Sequence, residues 1–126
     1  MNATAVAIGT GKLLSRESYQ KMITRDLIGK TTAVEGCPTC LPQSVGYSYG
    51  VGIVTTGNWL MQNPLFSGAG GAFGYHPQNK IAIAVATTFE PTAFDTVSGA
   101  YQNGADLLWR RIGEVMVPDD PPPIKK

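Results

Sequence analysis

Charge is scarce in this 126-residue chain: Asp, Glu, Lys and Arg make up 15% of it, and the net charge is +1. Such a surface has no basic field to collect nucleic acid or an anionic membrane. Cysteine and histidine are scarcer still, at two and one. A structural zinc site takes about four ligands, more than these three side chains supply. No apolar run approaches the roughly 20 residues that span a bilayer as a helix. Met1–Gly9 is apolar but lacks a basic front and a cleavage site, so it reads as a poor signal peptide. Nothing in the composition indicates a cofactor.

What the chain does have is 15 glycines, nine prolines and an ordinary 43% of apolar residues, which suit a turn-rich sheet better than a helical bundle. Ser15 is placed to cap a helix with Tyr19, Met22, Ile23 and Leu27 near one face. A connection from Gly29 to Gln43 follows. In Gly46–Val54, Tyr47, Tyr49, Val51 and Ile53 alternate with small residues, which predicts a strand. The run Lys80–Thr88 repeats the design, with Ile81, Ile83 and Val85 against Ala82, Ala84 and Ala86. Both faces are apolar, so both are expected to be buried, the alanine face closely against a helix, for which the last helix is the obvious candidate. Pro77-Gln78-Asn79-Lys80 reads as the turn of an antiparallel hairpin with Phe73–His76. The last helix is capped by Asn103, with Leu107, Leu108, Ile112, Val115 and Met116 as its apolar stripe and Glu114 outside, four residues after Arg110. The fold class is therefore α+β: an antiparallel sheet of about three to five strands, an N-terminal helix and a packed C-terminal helix. Residues 1–117 form that unit, and the proline-rich 118–126 is expected to be a loose tail.

Several short motifs fail on inspection. Gly29-Lys30-Thr31 ends like a phosphate-binding loop, but Thr24 occupies the earlier glycine position. Gly9-Thr10-Gly11-Lys12 is followed by Leu13 rather than Ser or Thr. Cys37-Pro38-Thr39-Cys40 has redox spacing, yet it sits in a Gly/Pro-rich connection without the strand-to-helix context that lowers a thiol pKa. It reads as a loop staple, disulfide-bonded if the protein is exported, or as two ordinary thiols. His76, between Tyr75 and Pro77, reads as the edge of a hairpin turn, and a catalytic role would require a nucleophile and an orienting partner.

The segment richest in information is Phe66-Ser67-Gly68-Ala69-Gly70-Gly71-Ala72-Phe73-Gly74-Tyr75, where glycines open the main chain to close approach. Together with Gly11-Lys12-Leu13-Leu14-Ser15-Arg16-Glu17-Ser18 and Tyr49-Gly50-Val51-Gly52, in that order, it resembles the serine β-lactamase-like superfamily. The branch it is most similar to holds class C β-lactamases, D-alanyl-D-alanine carboxypeptidases and related esterases. The resemblance runs from about Gly9 to Met116. Asn63-Pro64-Leu65-Phe66-Ser67-Gly68 and Leu108-Trp109-Arg110-Arg111 resemble actinobacterial, envelope-associated members.

The resemblance implies acyl transfer by a serine, with hydrolysis of an amide, β-lactam or ester. It implies that Phe66, Ser67, Gly68, Gly70 and Gly71 form the substrate-binding third motif, with the Ala69 N–H as an oxyanion donor. It also implies an acyl substrate and an envelope or exported location for the complete protein. Two departures restrict this. Phe66 stands where the family has a cation or histidine, and phenylalanine neither moves a proton nor holds a carboxylate. The family's nucleophile and tyrosine motifs precede the helix with which this chain begins. Ser18-Tyr19-Gln20-Lys21 and Tyr101-Gln102-Asn103 copy their spacing but fall on an exposed helix and after the third motif, and are read as coincidence. The expectation is a C-terminal, sheet-bearing portion that is inactive alone. Its partner is then the missing part of the fold or a second copy, and the alternative is a non-catalytic binding or structural remnant.

Overall fold

The computed structural model describes residues 1–37, 40–66, 68–94, 97, 101 and 103–124. It contains α1 (Asn2–Gly9), α2 (Arg16–Met22), β1 (Ser48–Tyr49), β2 (Val54–Thr56), β3 (Trp59–Gln62), β4 (Leu65–Phe66), β5 (Ala69–His76) and β6 (Ile81–Thr88). A 3-10 turn (Pro91–Ala93) and α3 (Gly104–Met116) complete it. All strand pairs are antiparallel, so the architecture is the α+β class expected from sequence.

The strands run as a meander. β3 and β4 both pair with β5 in one register, Leu60 opposite Tyr75 and Leu65 opposite Gly70, so they are two halves of one strand. Pro64 interrupts it because proline has no N–H to donate, although its carbonyl still accepts from Gly71 N at 2.9 Å. β6 closes the other side of β5 through the Pro77–Lys80 turn, with His76 opposite Ile81. The predicted strand Gly46–Val54 is instead broken into β1 and β2. Gly52 turns the chain at φ +74°, and Gly50 N bonds to Ile53 O, so the run folds back on itself.

Two helices sandwich the sheet. α1 lies across β5 and β6 on the face that carries Tyr75 and Ala82, with Gly9 against the Tyr75 ring. The sequence reading had no helix there. α2 is capped by Ser15 as expected but ends at Met22, leaving Leu27 outside it. α3 covers the opposite face, where Trp109 joins Val54, Trp59, Met61, Ala72, Ile83 and Val85 in one core. Both tryptophans are fully buried, 5.3 Å apart and edge-on. Truncating either would cost roughly 3–5 kcal/mol. Gly74 makes this packing possible: a Cβ there would lie 2.5 Å from the Trp109 ring and 2.6 Å from the Leu60 carbonyl oxygen.

Three expectations are corrected. The last helix covers the Ile83/Val85 face, while the alanine face under α1 is only half-buried at Ala82 and Ala84 and exposed at Ala86. The buried stripe of α3 is Ala105, Asp106, Trp109, Arg110 and Gly113; Leu107, Leu108, Val115 and Met116 are exposed. Arg110 therefore does not serve as Glu114's outer neighbour; Arg111 pairs with Glu114 instead, at 3.0 Å. Finally, the described part of the tail is docked rather than loose. Pro122 sits where Gly113 has no side chain, 2.7 Å from where a Cβ would be, and Trp59 Nε1 donates to Asp120 O at 2.9 Å. Proline composition signalled a segment with no core of its own; it did not signal that rigid rings can fill a hollow on a helix.

Candidate functional site

The glycine-rich motif occupies the tip of the β4–β5 hairpin. Phe66 pairs with Ala69 across a turn in which Gly68 takes φ +79°. Ser67 lies outside the described residues. Phe66 is exposed, and Gly70 and Gly71 are buried inside the sheet between β4 and β6. The bond from Gly71 N to Pro64 O fixes the phase of the ladder. Antiparallel alternation then aims the Ala69 N–H at the Phe66 carbonyl, inside the hairpin, rather than toward an incoming acyl group.

The catalytic look-alikes are each engaged in local structural contacts. Ser18 Oγ contacts Ser15 Oγ at 3.0 Å on the exposed start of α2, and Lys21 pairs with Glu17 at 2.9 Å. Tyr101 stacks with Phe89 and Phe94, at centroid distances of 4.5 and 5.2 Å, and bridges back to Phe94. Asn103 caps α3, accepting from Ala105 N and Asp106 N.

His76 is buried against Trp59, with ring centroids 4.8 Å apart. Its Nδ1 accepts from Asn79 N at 3.1 Å, which puts the proton on Nε2, facing Asp120 Oδ2 at 3.1 Å. Asn58 Nδ2 donates to the same oxygen at 2.7 Å. The Asn58 amide, and then the His76 ring, hold the Asp120 carboxyl below its ordinary value of 3.8 against the opposing effect of burial. The histidine thus latches the tail and faces no nucleophile among the described residues.

A second polar assembly is internal. Arg110 is buried, with Nε on Asp106 Oδ1 at 3.1 Å and Nη1 on Thr56 Oγ1 at 2.8 Å and on the Pro123 carbonyl. It ties α3 to β2 and to the tail.

A large concavity lies away from the hairpin tip, between β1 and the connection before it. It measures about 650 Å³, with Val34, Leu41, Pro42, Tyr47, Tyr49 and Ile124 in its wall. That volume is in the range of small-molecule sites. Cys37 and Cys40 are disulfide-bonded, and Cys40 forms part of the rim, so the staple braces one wall. Gln43 holds the other side, its Oε1 accepting from Tyr49 N at 2.6 Å and its N–H donating to Thr31 Oγ1 at 2.7 Å.

The polar groups of this cavity are ordered by donor counting. Asn63 Oδ1 can only accept, so the Tyr47 hydroxyl donates to it at 3.0 Å. The Tyr49 hydroxyl, 3.3 Å from Tyr47, then donates to Tyr47, and its own oxygen keeps acceptor capacity. Burial, and then the contact with Tyr49, push the Tyr47 hydroxyl well above the ordinary tyrosine value, so it stays protonated. Sequence reading had placed Tyr47 and Tyr49 on one strand face. It gave no sign of the cavity, because the opposite wall comes from residues 31–43, which carry no periodic signal.

Compared with protein families, curated proteins and solved structures, the chain matches none.

Proposed function

We propose that this chain is the sheet-bearing portion of a β-lactamase-like serine hydrolase fold and is catalytically silent by itself. The observation that carries the reading is the meander with a helix on each face, in which the motifs of the resemblance fall in order: the Ser15 cap, the turn after Tyr49 and the glycine hairpin. Silence follows from the engagement of Ser18 with the Ser15 cap, of Lys21 with Glu17 and of Tyr101 with Phe89 and Phe94, and from the inward Ala69 N–H. The test is turnover of a chromogenic cephalosporin and a nitrophenyl ester, with none expected. Turnover abolished by Ser18→Ala would overturn the reading.

The cavity favours a second reading, in which the unit binds without reacting. Its apolar wall and the outward acceptor of Tyr49 suit a compact apolar molecule with one hydroxyl or amide N–H. Titration of such a probe, for example a naphthol, is expected to perturb Tyr47 and Tyr49 NMR signals. Tyr49→Phe is expected to weaken binding roughly five- to tenfold, the worth of one neutral hydrogen bond. An unchanged affinity would rule out this site.

A further inference from the structure

Residues 120–124 rest on a surface that meets them with donors and hollows. Proline has no N–H and a fixed φ, and a residue before proline is driven to extended backbone. Asp120-Pro121-Pro122-Pro123 therefore presents carbonyls, a carboxylate and rings along a preset path, with no amide donor in its three prolines. The surface answers group by group. Asn58 Nδ2 and His76 Nε2 donate to Asp120 Oδ2 at 2.7 and 3.1 Å, and Trp59 Nε1 donates to the Asp120 carbonyl at 2.9 Å. Arg110 Nη1 donates to the Pro123 carbonyl. Pro122 is buried in the hollow over Gly113, and Pro123 lies over Gly57, 2.8 Å from where a Cβ would be. Aromatic-lined grooves read proline-rich peptides in this way, taking a ligand that is already extended.

The match ends at Ile124. That residue stands in the wall of the cavity of about 650 Å³, beside Leu41, Pro42, Tyr47 and Tyr49. The chain continues with Lys125-Lys126, whose hydrated ammonium groups such a wall does not favour. The tail suits the groove and is a poor match to the cavity that the groove abuts.

We propose that this groove is a peptide-recognition site whose partner is a segment of another protein: an acidic residue, three prolines, then apolar residues. The chain's own tail is the resident that the partner displaces. The donors and glycine hollows select the proline-rich part. The Tyr47/Tyr49 cavity selects the apolar continuation, and this part rests on the reading that the cavity binds. The groove lies on α3 and the β2–β3 turn and is filled by the tail, so it is not an edge left open for the rest of a larger fold. The tail of a second copy would bring the same lysines and gain nothing over the resident.

The experiment titrates the full chain into fluorescein-labelled Asp-Pro-Pro-Pro-Ile-Leu-Leu and follows anisotropy. The resident tail competes, so Asp120→Ala, which weakens the tail and leaves the groove intact, is expected to bind the peptide about tenfold more tightly than wild type. Pro122→Gly serves the same purpose if Asp120→Ala does not fold. A tail with a structural role only would give no such gain. Asp-Pro-Pro-Pro-Ile-Lys-Lys is expected to bind about tenfold more weakly than the leucine peptide. Asp-Ala-Ala-Ala-Ile-Leu-Leu, which restores the N–H groups and lacks the rings, is expected not to bind. Gly113→Ala puts a methyl group into the Pro122 hollow while favouring the helix, and is expected to abolish binding. An affinity that tail weakening leaves unchanged overturns the proposal, as does an alanine peptide that binds equally well. Equal affinities of the leucine and lysine peptides also overturn it, since the cavity then prefers no partner to the tail. Failure of the cavity itself is read separately, by the naphthol titration, which involves no peptide.

Discussion

The two flanks of α3 make opposite use of polar and apolar groups. Toward β2 and the tail, Asp106 and Arg110 are buried, and Thr56 and the Pro123 carbonyl join them in a polar joint. Toward β6, Leu108 and Val115 are exposed beside a strand whose outer edge no described residue pairs. Hydrophobicity alone would assign these flanks the other way round. The difference teaches that a charged pair with fixed partners can define the inside of a domain, while leucine and valine mark where it has not been closed.

The largest expected effect that breaks this comparison is at the polar joint. Asp106→Ala leaves Arg110 buried without its carboxylate and is expected to cost about 3–5 kcal/mol, measured by urea denaturation. A loss below about 1 kcal/mol would mean that the joint is solvated. Next comes removal of the tail from Pro118 onward, which uncovers Trp59 and leaves its indole N–H without the Asp120 carbonyl. A loss of about 2–3 kcal/mol is expected from the exposed apolar area and the lost hydrogen bonds. Acid gives a smaller and reversible version of the same change. Asp120 is held below 3.8, so its contribution is complete above that value and is lost as pH falls through the lowered one. The Asp120 contribution to tail docking, followed through the Asn58 side-chain amide resonances, is therefore expected to be lost below about pH 4. The smallest effect belongs to the other flank: Leu108→Ser is expected to change the stability of the isolated chain by less than about 0.5 kcal/mol.

The same contrast shows what was legible in the sequence. The β5–β6 hairpin was legible because alternation and the Pro77–Lys80 turn are local signals, and the Ser15 and Asn103 caps for the same reason. The face of α3 was not, since its apolar period at Leu107, Leu108, Ile112, Val115 and Met116 competes with a buried stripe containing Asp106 and Arg110. Burial of those two depends on Thr56 and Pro123, far away in the chain. The Tyr47–Tyr49–Asn63 relay was hidden likewise, because a hydrogen bond across 16 residues leaves no mark in a short window. At the hairpin tip, the glycines were legible as an opening in the main chain, but not the direction of the Ala69 N–H, which depends on strand register.

The two buried tryptophans carry a consequence of a spectroscopic kind. Both indoles are dry, but they donate to different places, Trp109 to the Ile83 carbonyl in the sheet and Trp59 to Asp120 in the tail. Release of the tail wets one indole and leaves the other in the core. The emission of a Trp109→Phe variant would therefore shift to the red when the tail lifts, before the sheet melts, giving the docked segment its own optical signal.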